Sequence, residues 1–404
     1  MITIAIAGKP NSGKSTFFKA ATLADVEIAA YPFTTVSPNI GVGYVRVRCP
    51  CGEEAIQRAI GGVTCGKCSN GFRFIPIELI DVAGLVRGAH EGRGLGNEFL
   101  DELRRAEAII HVVDASGGTD ADGNLVDLGS HNPVEDIEFF KTELNLWVFG
   151  IIKRGWRKIE RRVELEGLKI ERLLTEQLAG VGVTEEHVKM AIQDSRIKDK
   201  AKFKSWDDED LQALAAALIT RSKKMILAAN KADVAPPANI EGLKAASEQQ
   251  YGEVAITCSA AAELALRTAA KNKLITYLPG DADFTITSNP TEQQRRGLER
   301  LRAFIRAQGG TGVQEIINQV AFELLNYLVA YPVEDEHKFS DTRGRILPDA
   351  FLLKRGSTAR DLAYAVHSEI GESCLFAIDA RTKLRMSEKQ ALKGNDILKV
   401  VCTK

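Results

Sequence analysis

Eight residues, Gly8-Lys9-Pro10-Asn11-Ser12-Gly13-Lys14-Ser15, constrain this chain more than any others. They fit G-x-x-x-x-G-K-[ST], directly after the apolar run Ile2–Ala7 and directly before a helix-forming stretch. Glycines let backbone N–H groups curl around a β-phosphate, and the helix N-terminus behind them adds a fixed positive potential. Gly8, Asn11, Ser12, Gly13, Lys14, Ser15 and Thr16 are the candidate phosphate-binding residues. Lys14 would neutralise charge on the β- and γ-phosphates, a catalytic role, and the Ser15 hydroxyl would ligate Mg²⁺. A loop of this kind needs a strand–loop–helix unit, so it predicts an α/β layer fold.

Further short apolar runs at Ile75–Ile80, Ala108–Val113, Met225–Ala229 and Val254–Thr257 support that class. Apolar on both faces, they suit a parallel sheet covered by helices, with the ligand at the carboxyl ends of its strands. Roughly 110 residues separate Val113 from Met225, too many for one crossover helix. Asn132-Pro133 is a helix start, and Val134, Ile137, Phe140, Leu144, Trp147 and Ile151 recur as one buried stripe. Trp156, Ile159 and Val163 begin a second stripe that Gly180-Val181-Gly182 breaks, and a third helix is expected from Ser205. Residues 131–222 therefore read as an inserted helical subdomain, dividing a nucleotide domain into 1–130 and 223–330. Another helix is expected at Thr311, with Gln314 completing a capping box. Beyond Tyr331-Pro332, strands at Phe351–Leu353, Leu375–Ile378 and Ile397–Val401 around a helix near 357–370 predict a separate α+β domain, 331–404.

Composition excludes several classes. Apolar residues are 45%, and 53 basic against 54 acidic side chains leave a net charge of −1, which is neither disordered nor a binder by bulk positive charge. The apolar runs fall far short of the roughly 20 residues a membrane span needs. No export signal is legible at the N-terminus, and seven cysteines, an odd number, form no disulfide framework. The expectation is a cytoplasmic protein without a membrane partner, and a monomer.

Three further sites bear on the nucleotide. Asp81-Val82-Ala83-Gly84 ends a strand, so Asp81 can hold a Mg²⁺-bound water and the Gly84 N–H can reach a γ-phosphate. Thr35 could complete the Mg²⁺ shell when that phosphate is present, with Thr34 the competing assignment. Asn230-Lys231-Ala232-Asp233 follows a strand. The Asp233 carboxylate can accept both guanine N–H groups, readout worth about 10⁴ against the wrong base. Lys231 would cover the ring, Asn230 would tie this loop to the phosphate loop, and Ser259-Ala260 would donate a backbone N–H to the guanine oxygen.

Cys49-Pro50-Cys51 and Cys65-Gly66-Lys67-Cys68 are two close pairs separated by 13 residues. In a cytosolic chain they suit tetrahedral, structural Zn²⁺ that stabilises an insertion too small for its own core. Cys258, Cys374 and Cys402 sit in apolar runs and read as core residues. Asp120–Asn124 hints at a calcium loop, but Leu125 and His131 stand at its required glycine and twelfth positions, which excludes it. Between Lys153 and Arg172, eight basic residues face four acidic ones: a solvated helix face, or one that contacts RNA phosphates.

Gly8–Ser15, Tyr31–Asn39, Asp81–Leu103 with its Gly-Ala-His-Glu-Gly-Arg-Gly-Leu-Gly-Asn run, and Asn230–Asp233 together resemble the Obg superfamily of GTPases, within it the YchF-like branch in its archaeal, GTP-selective form. The resemblance covers nearly the whole chain. It implies a Ras-like domain interrupted by a helical, coiled-coil-bearing insert, a C-terminal β-grasp TGS domain, and the ribosome, rRNA or tRNA as partner. Many members of the branch prefer ATP, whereas the guanine motif here is intact, so GTP and GDP are the expected ligands.

Leu85 stands where Ras-like enzymes carry the glutamine that orients the attacking water, so hydrolysis should be slow. His90 reads as an exposed loop histidine or as a candidate catalytic replacement, and Arg87 and Arg93 read as solvated loop residues in preference to internal charge donors. Asn11 occupies the position that holds potassium in related GTPases, which offers K⁺ as a further cofactor. Five glycines between Gly84 and Gly96 make that segment adaptable, so a γ-phosphate could order it and hydrolysis release it. A phosphotransferase acting on a small molecule fits the intact guanine motif and Thr35 less well; a nucleotide-gated scaffold with negligible turnover stays open because of Leu85.

Overall fold

The computed structural model describes residues 1–23, 39–91, 102–194, 197 and 203–403. Ile4, Ala5, Ile6 and Ala7 are fully buried because β1 (Thr3–Ala7) is an interior strand of a six-stranded sheet. The order is β2-β3-β1-β4-β5-β6, with β2 Ile40–Arg48, β3 Phe72–Asp81, β4 Ala108–Asp114, β5 Lys224–Asn230 and β6 Ala255–Thr257. Only β2 runs antiparallel, along β3. Every residue of β4 is buried, as expected of a parallel strand covered on both faces. The register sets Ile6 beside Asp81, Ala7 beside His111, and Asp114 beside Asn230. The carboxyl ends of β1, β3, β4 and β5 thus finish along one edge, where a doubly covered sheet binds its ligand. Helix α1 (Lys14–Thr22) leaves that edge and buries Phe17, Ala20 and Ala21 against the sheet. A short helix, α2 (Glu54–Ala59), lies at the far end of the β2–β3 hairpin.

The insert is helical but divided differently from the sequence expectation. Helix α3 runs unbroken from Val134 to Glu166, joining the two expected stripes. Ile152, Trp156 and Ile159 carry the buried face on past Ile151, and Trp156 stacks on Trp206 with ring centroids 5.7 Å apart. The helix ends at Gly167, whose φ of +64° needs no Cβ penalty. Ile170–Leu178 follows and ends at the expected glycine break, Gly182 having φ +77°. Helix Glu185–Asp194 was not anticipated. The last helix is Asp208–Ser222 and starts behind an Asp207–Asp210 capping box, not at Ser205.

The expected capping box at Thr311 is absent. Helix Val313–Gln319 starts behind Gly312 without a side-chain cap. Thr311 Oγ1 donates to Glu263 Oε2 (2.6 Å), and Gln314 Nε2 donates to the Tyr44 carbonyl (2.8 Å). Both residues serve tertiary bonds that no local pattern announces. The short strands β7 (Ile275–Thr276) and β8 (Thr285–Ile286) pair with each other. A five-stranded sheet closes the chain in the order β10-β9-β13-β11-β12. Its strands are β9 Tyr327–Val333, β10 Phe351–Lys354, β11 Cys374–Asp379, β12 Arg385–Ser387 and β13 Asp396–Cys402. β9 begins ahead of Tyr331 and runs through the boundary expected there, pairing in parallel with β13.

Candidate functional site

The phosphate loop leaves β1 with two glycines that nothing else could replace. Gly8 has φ +151° and a Cβ there would strike the Val112 carbonyl; Gly13 has φ +97° and a Cβ would strike the Asn230 amide. Asn11 takes the left-handed conformation at φ +58° and its Nδ2 donates to the Gly123 carbonyl (2.9 Å). Lys14, 7% exposed, donates from Nζ to the Lys9 carbonyl (2.7 Å). Burial pushes its ammonium down to about 8, against the pull of Asp81.

Ser15, next along α1, hydrogen-bonds the Asp81 carboxylate, and Thr16 is half-buried beside it. Burial raises the Asp81 carboxyl, opposed first by Ser15 and then by Lys14 and Lys19. Asp81 Oδ1 and Ser12 Oγ are both buried without a hydrogen-bond partner among the described residues. Such orphaned oxygens call for a missing partner. A hard cation between Ser15 and Asp81, and a phosphate oxygen at Ser12, would satisfy both, so the residues fit Mg²⁺ with a nucleotide.

The guanine-reading loop is fastened to this cradle through one side chain. Asn230 Nδ2 donates to the Ser12 carbonyl (3.0 Å) and its Oδ1 accepts the Ala260 N–H (3.0 Å). Of the Ser259-Ala260 pair expected to offer a backbone N–H to a guanine oxygen, Ala260 N–H thus goes to Asn230 and Ser259 N–H to the Thr311 carbonyl (2.9 Å), while Ser259 Oγ caps the following helix by accepting from Ala262 N. Lys231, at φ +61°, sends Nζ to Asp114 Oδ2 (2.8 Å). Asp114 is fully buried and is held also by Ser116 and Thr119. Asp233 is exposed, and its charge, after burial, helps raise the Cys258 thiol.

On the γ-phosphate side Gly84 lies against Pro10, where a Cβ would come within 3.1 Å of the Pro10 nitrogen. Leu85 N–H donates to the Gly8 carbonyl (3.0 Å), and its side chain is 2% exposed, packed in the core that α3 shares. His90 is not an exposed loop histidine. Glu143 of α3 accepts from Gly88 N (2.8 Å) and His90 N (3.2 Å) and lies 2.7 Å from His90 Nδ1. Arg87 sits over the Phe139 ring at 5.6 Å. Thr34, Thr35, Arg93 and the run from Gly92 to Asn97 lie outside the described residues.

Sequence reasoning missed three anchors. Lys9, 2% exposed, donates to the Thr119 and Asp120 carbonyls (2.9 Å each) and pairs with Asp136 at 2.8 Å. Asp136 also faces His131 Nε2 at 2.9 Å. Asp114 and Glu143 are the other two. All join residues more than 50 positions apart, and each is an ordinary charged residue in its own stretch of sequence.

The four cysteines at the far end of the β2–β3 hairpin converge. Their sulfurs all lie within 4.8 Å of one another, with Cys49–Cys65 at 3.6 Å and Cys51–Cys68 at 3.5 Å. Those separations are too long for disulfides, whose S–S bond is about 2.05 Å. Cys258 and Cys374 are buried and Cys402 is half-buried.

Comparison with known proteins agrees with this arrangement. Residues 3–140 match the family model of a 50S ribosome-binding GTPase, residues 228–335 that of an Obg-like GTPase YGR210-like, G4 motif-containing domain, and residues 344–402 a TGS domain. The chain is 49% identical, over 99% of each chain, to an uncharacterized GTP-binding protein of Methanocaldococcus jannaschii. It is 34% identical, over 90% of each, to one of Schizosaccharomyces pombe. A ribosome-binding ATPase YchF of Bacillus subtilis is 30% identical over 64% of this chain and 65% of its own length. The crystal structure of a GTP-binding protein from Pyrococcus horikoshii OT3 matches the whole of both chains with a TM-score of 0.75 and 39% identity. With the phosphate loop, the Asn230 loop and the C-terminal sheet all in place, the chain belongs to the YchF-like branch of the Obg GTPases and carries a C-terminal TGS domain.

Proposed function

We propose that this chain binds Mg²⁺-GTP in preference to ATP, hydrolyses it slowly, and works as a nucleotide-dependent switch on the translation machinery. The observation that carries the base preference is Asn230, bonded at once to the Ser12 carbonyl and the Ala260 N–H. It sets Asp233 at a fixed offset from the phosphate cradle, so a guanine must meet that carboxylate when its phosphates are seated. Mg²⁺ would supply charge neutralisation and a template for the β- and γ-phosphates. Ser15, Asp81 and Thr35 would hold it, and Lys14 and the Gly84 N–H would bear on the γ-phosphate.

Leu85 turned into the core leaves no polar atom in the glutamine position, which supports slow turnover. His90, tied to Glu143, is better suited to hold the loop than to act on water in this state. Potassium, next to Asn11, would raise the rate by adding positive charge. Zn²⁺ on Cys49, Cys51, Cys65 and Cys68 would be structural, since every ligand position is filled by protein.

The partner reading rests on α3. Arg154, Arg157, Lys158 and Arg161 make no ion pair among the described residues and line one shallow cavity with Arg162, on an exposed face. Such a surface suits RNA phosphates. The name of the Bacillus subtilis relative supports the ribosome as the place where that RNA is met.

Calorimetry of the full chain with Mg²⁺-GTP, Mg²⁺-GDP and Mg²⁺-ATP tests the reading. Guanine nucleotides should bind at least about a hundredfold more tightly than ATP, and Lys14→Ala should abolish binding. Equal affinity for GTP and ATP would end the base assignment.

A further inference from the structure

We propose that the metal held by Cys49, Cys51, Cys65 and Cys68 is a zinc clamp that docks the TGS domain on the far end of the β2–β3 hairpin. The inference rests on the zinc reading of these cysteines and adds what the ion holds together.

The sulfur geometry fits one ion. Zinc–sulfur bonds of about 2.3 Å in a tetrahedron place the sulfurs roughly 3.8 Å apart. Two of the pairs here already stand at 3.5 and 3.6 Å. Gly66, at φ +67°, makes the tight turn between Cys65 and Cys68 that lets both sulfurs face inward.

Charge gives an independent argument. Arg73 is 4% exposed, and its Nη2 lies 3.2 Å from Cys65 Sγ. No carboxylate pairs with it among the described residues. A buried guanidinium without a counter-charge is costly, and thiolate sulfur beside it would supply one. A zinc tetrathiolate holds all four sulfurs in that form, with a net charge of −2 against the single positive charge of Arg73.

The same arginine leads out of the knuckle. Its guanidinium lies 5.5 Å from the ring centroid of Tyr331, a fully buried residue of β9. Cys49, Cys51, Cys65 and Ile56 of α2 belong to one continuous apolar cluster with Tyr331, Val333, Phe339, Ala380 and Ile397. At the rim, Arg381 of the C-terminal domain grips Glu53, which precedes α2, with Nε and Nη2 at 2.8 and 2.7 Å from the two carboxylate oxygens. The knuckle is therefore a seat of the C-terminal domain, and it is too short to keep its shape without the ion.

The test uses the full chain purified under reducing conditions. Metal analysis should find about one zinc per chain; no zinc with four free thiols, or iron instead, overturns the zinc assignment and the clamp with it. If zinc is present, it is stripped with a chelator, and hydrogen exchange is followed by mass spectrometry while GTP binding reports that the nucleotide domain remains folded. Amides of β9 and β13 should exchange at least about tenfold faster, and added Zn²⁺ should restore them. Faster exchange confined to residues 49–71 would leave zinc standing and sink the clamp. Should stripping unfold the whole chain, the rim pair gives a second route with zinc in place. Glu53→Arg should speed exchange in β9, and Glu53→Arg combined with Arg381→Glu should reverse it; no effect of the single change counts against the docking surface.

Discussion

Burial lowers the Lys14 ammonium to about 8. Bound phosphates would favour the charged form and raise that value. GTP affinity should then be full below pH 8 and decline above it, because the proton must be regained on binding. Between pH 7.5 and 9 a loss of roughly tenfold is expected in fluorescent-nucleotide titrations. A flat profile over that range would show that the lysine is charged whether or not phosphate is present. At this scale the site was largely legible. Gly8, Gly13, Lys14, Ser15 and Asn230 form short strings whose chemistry depends on adjacent residues, and the structure gathers them at one sheet edge. Lys9 was not legible, because its partner Asp136 lies across the insert boundary and nothing near Lys9 marks it as buried. The bond from the Ala260 N–H to Asn230 Oδ1 was not legible either, because it joins residues 30 positions apart.

Among elements, α3 is where sequence and structure part furthest. Periodicity found both halves of its buried stripe, but a helix face drifts around the axis over many turns, and that drift looks like an interruption between Ile151 and Trp156. The stop was marked only by Gly167. Nor did periodicity show what α3 does at its base, where Glu143 gathers Gly88 N–H, His90 N–H and the His90 ring. Those bonds hold the glycine-rich segment after Gly84 to the insert. Glu143→Ala would remove the carboxylate that the half-buried Gly88 and His90 N–H groups donate to, at a cost of about 1–3 kcal/mol. Trypsin should cut after Arg87 several times faster in the GDP-bound variant than in the parent, and any GTP–GDP difference in cutting should narrow. Unchanged digestion would mean that the loop is held by its apolar contacts alone.

Taken as a whole, the molecule is nearly neutral, with a net charge of −1, so any affinity for RNA must come from a local face. Arg154, Arg157, Lys158 and Arg161 of α3, without an ion pair among the described residues, form such a face. Changing Arg157, Lys158 and Arg161 together to Glu should weaken ribosome association in sedimentation assays and lower its dependence on log salt by roughly 2–3. An unaltered salt slope would move the docking surface elsewhere. No helix among the described residues is long and apolar enough to cross a membrane. The strands of the six-stranded sheet were legible as apolar runs, whereas β9 was hidden because only Leu325 and Asn326, the latter at φ +57°, part it from the helical stretch Val320–Leu324.

The unbroken run of α3 from Glu143 to Glu166 has a mechanical consequence. At 1.5 Å per residue, roughly 35 Å of stiff rod runs on beyond the carboxylate that grips the loop, packed along Ile170–Leu178 and Asp208–Ser222. A tilt of about 5° at that foot would carry the tip some ~3 Å sideways, enough to make or break a set of phosphate contacts. Loss of one phosphoryl group could in this way be felt at a distance by whatever rests against the rod.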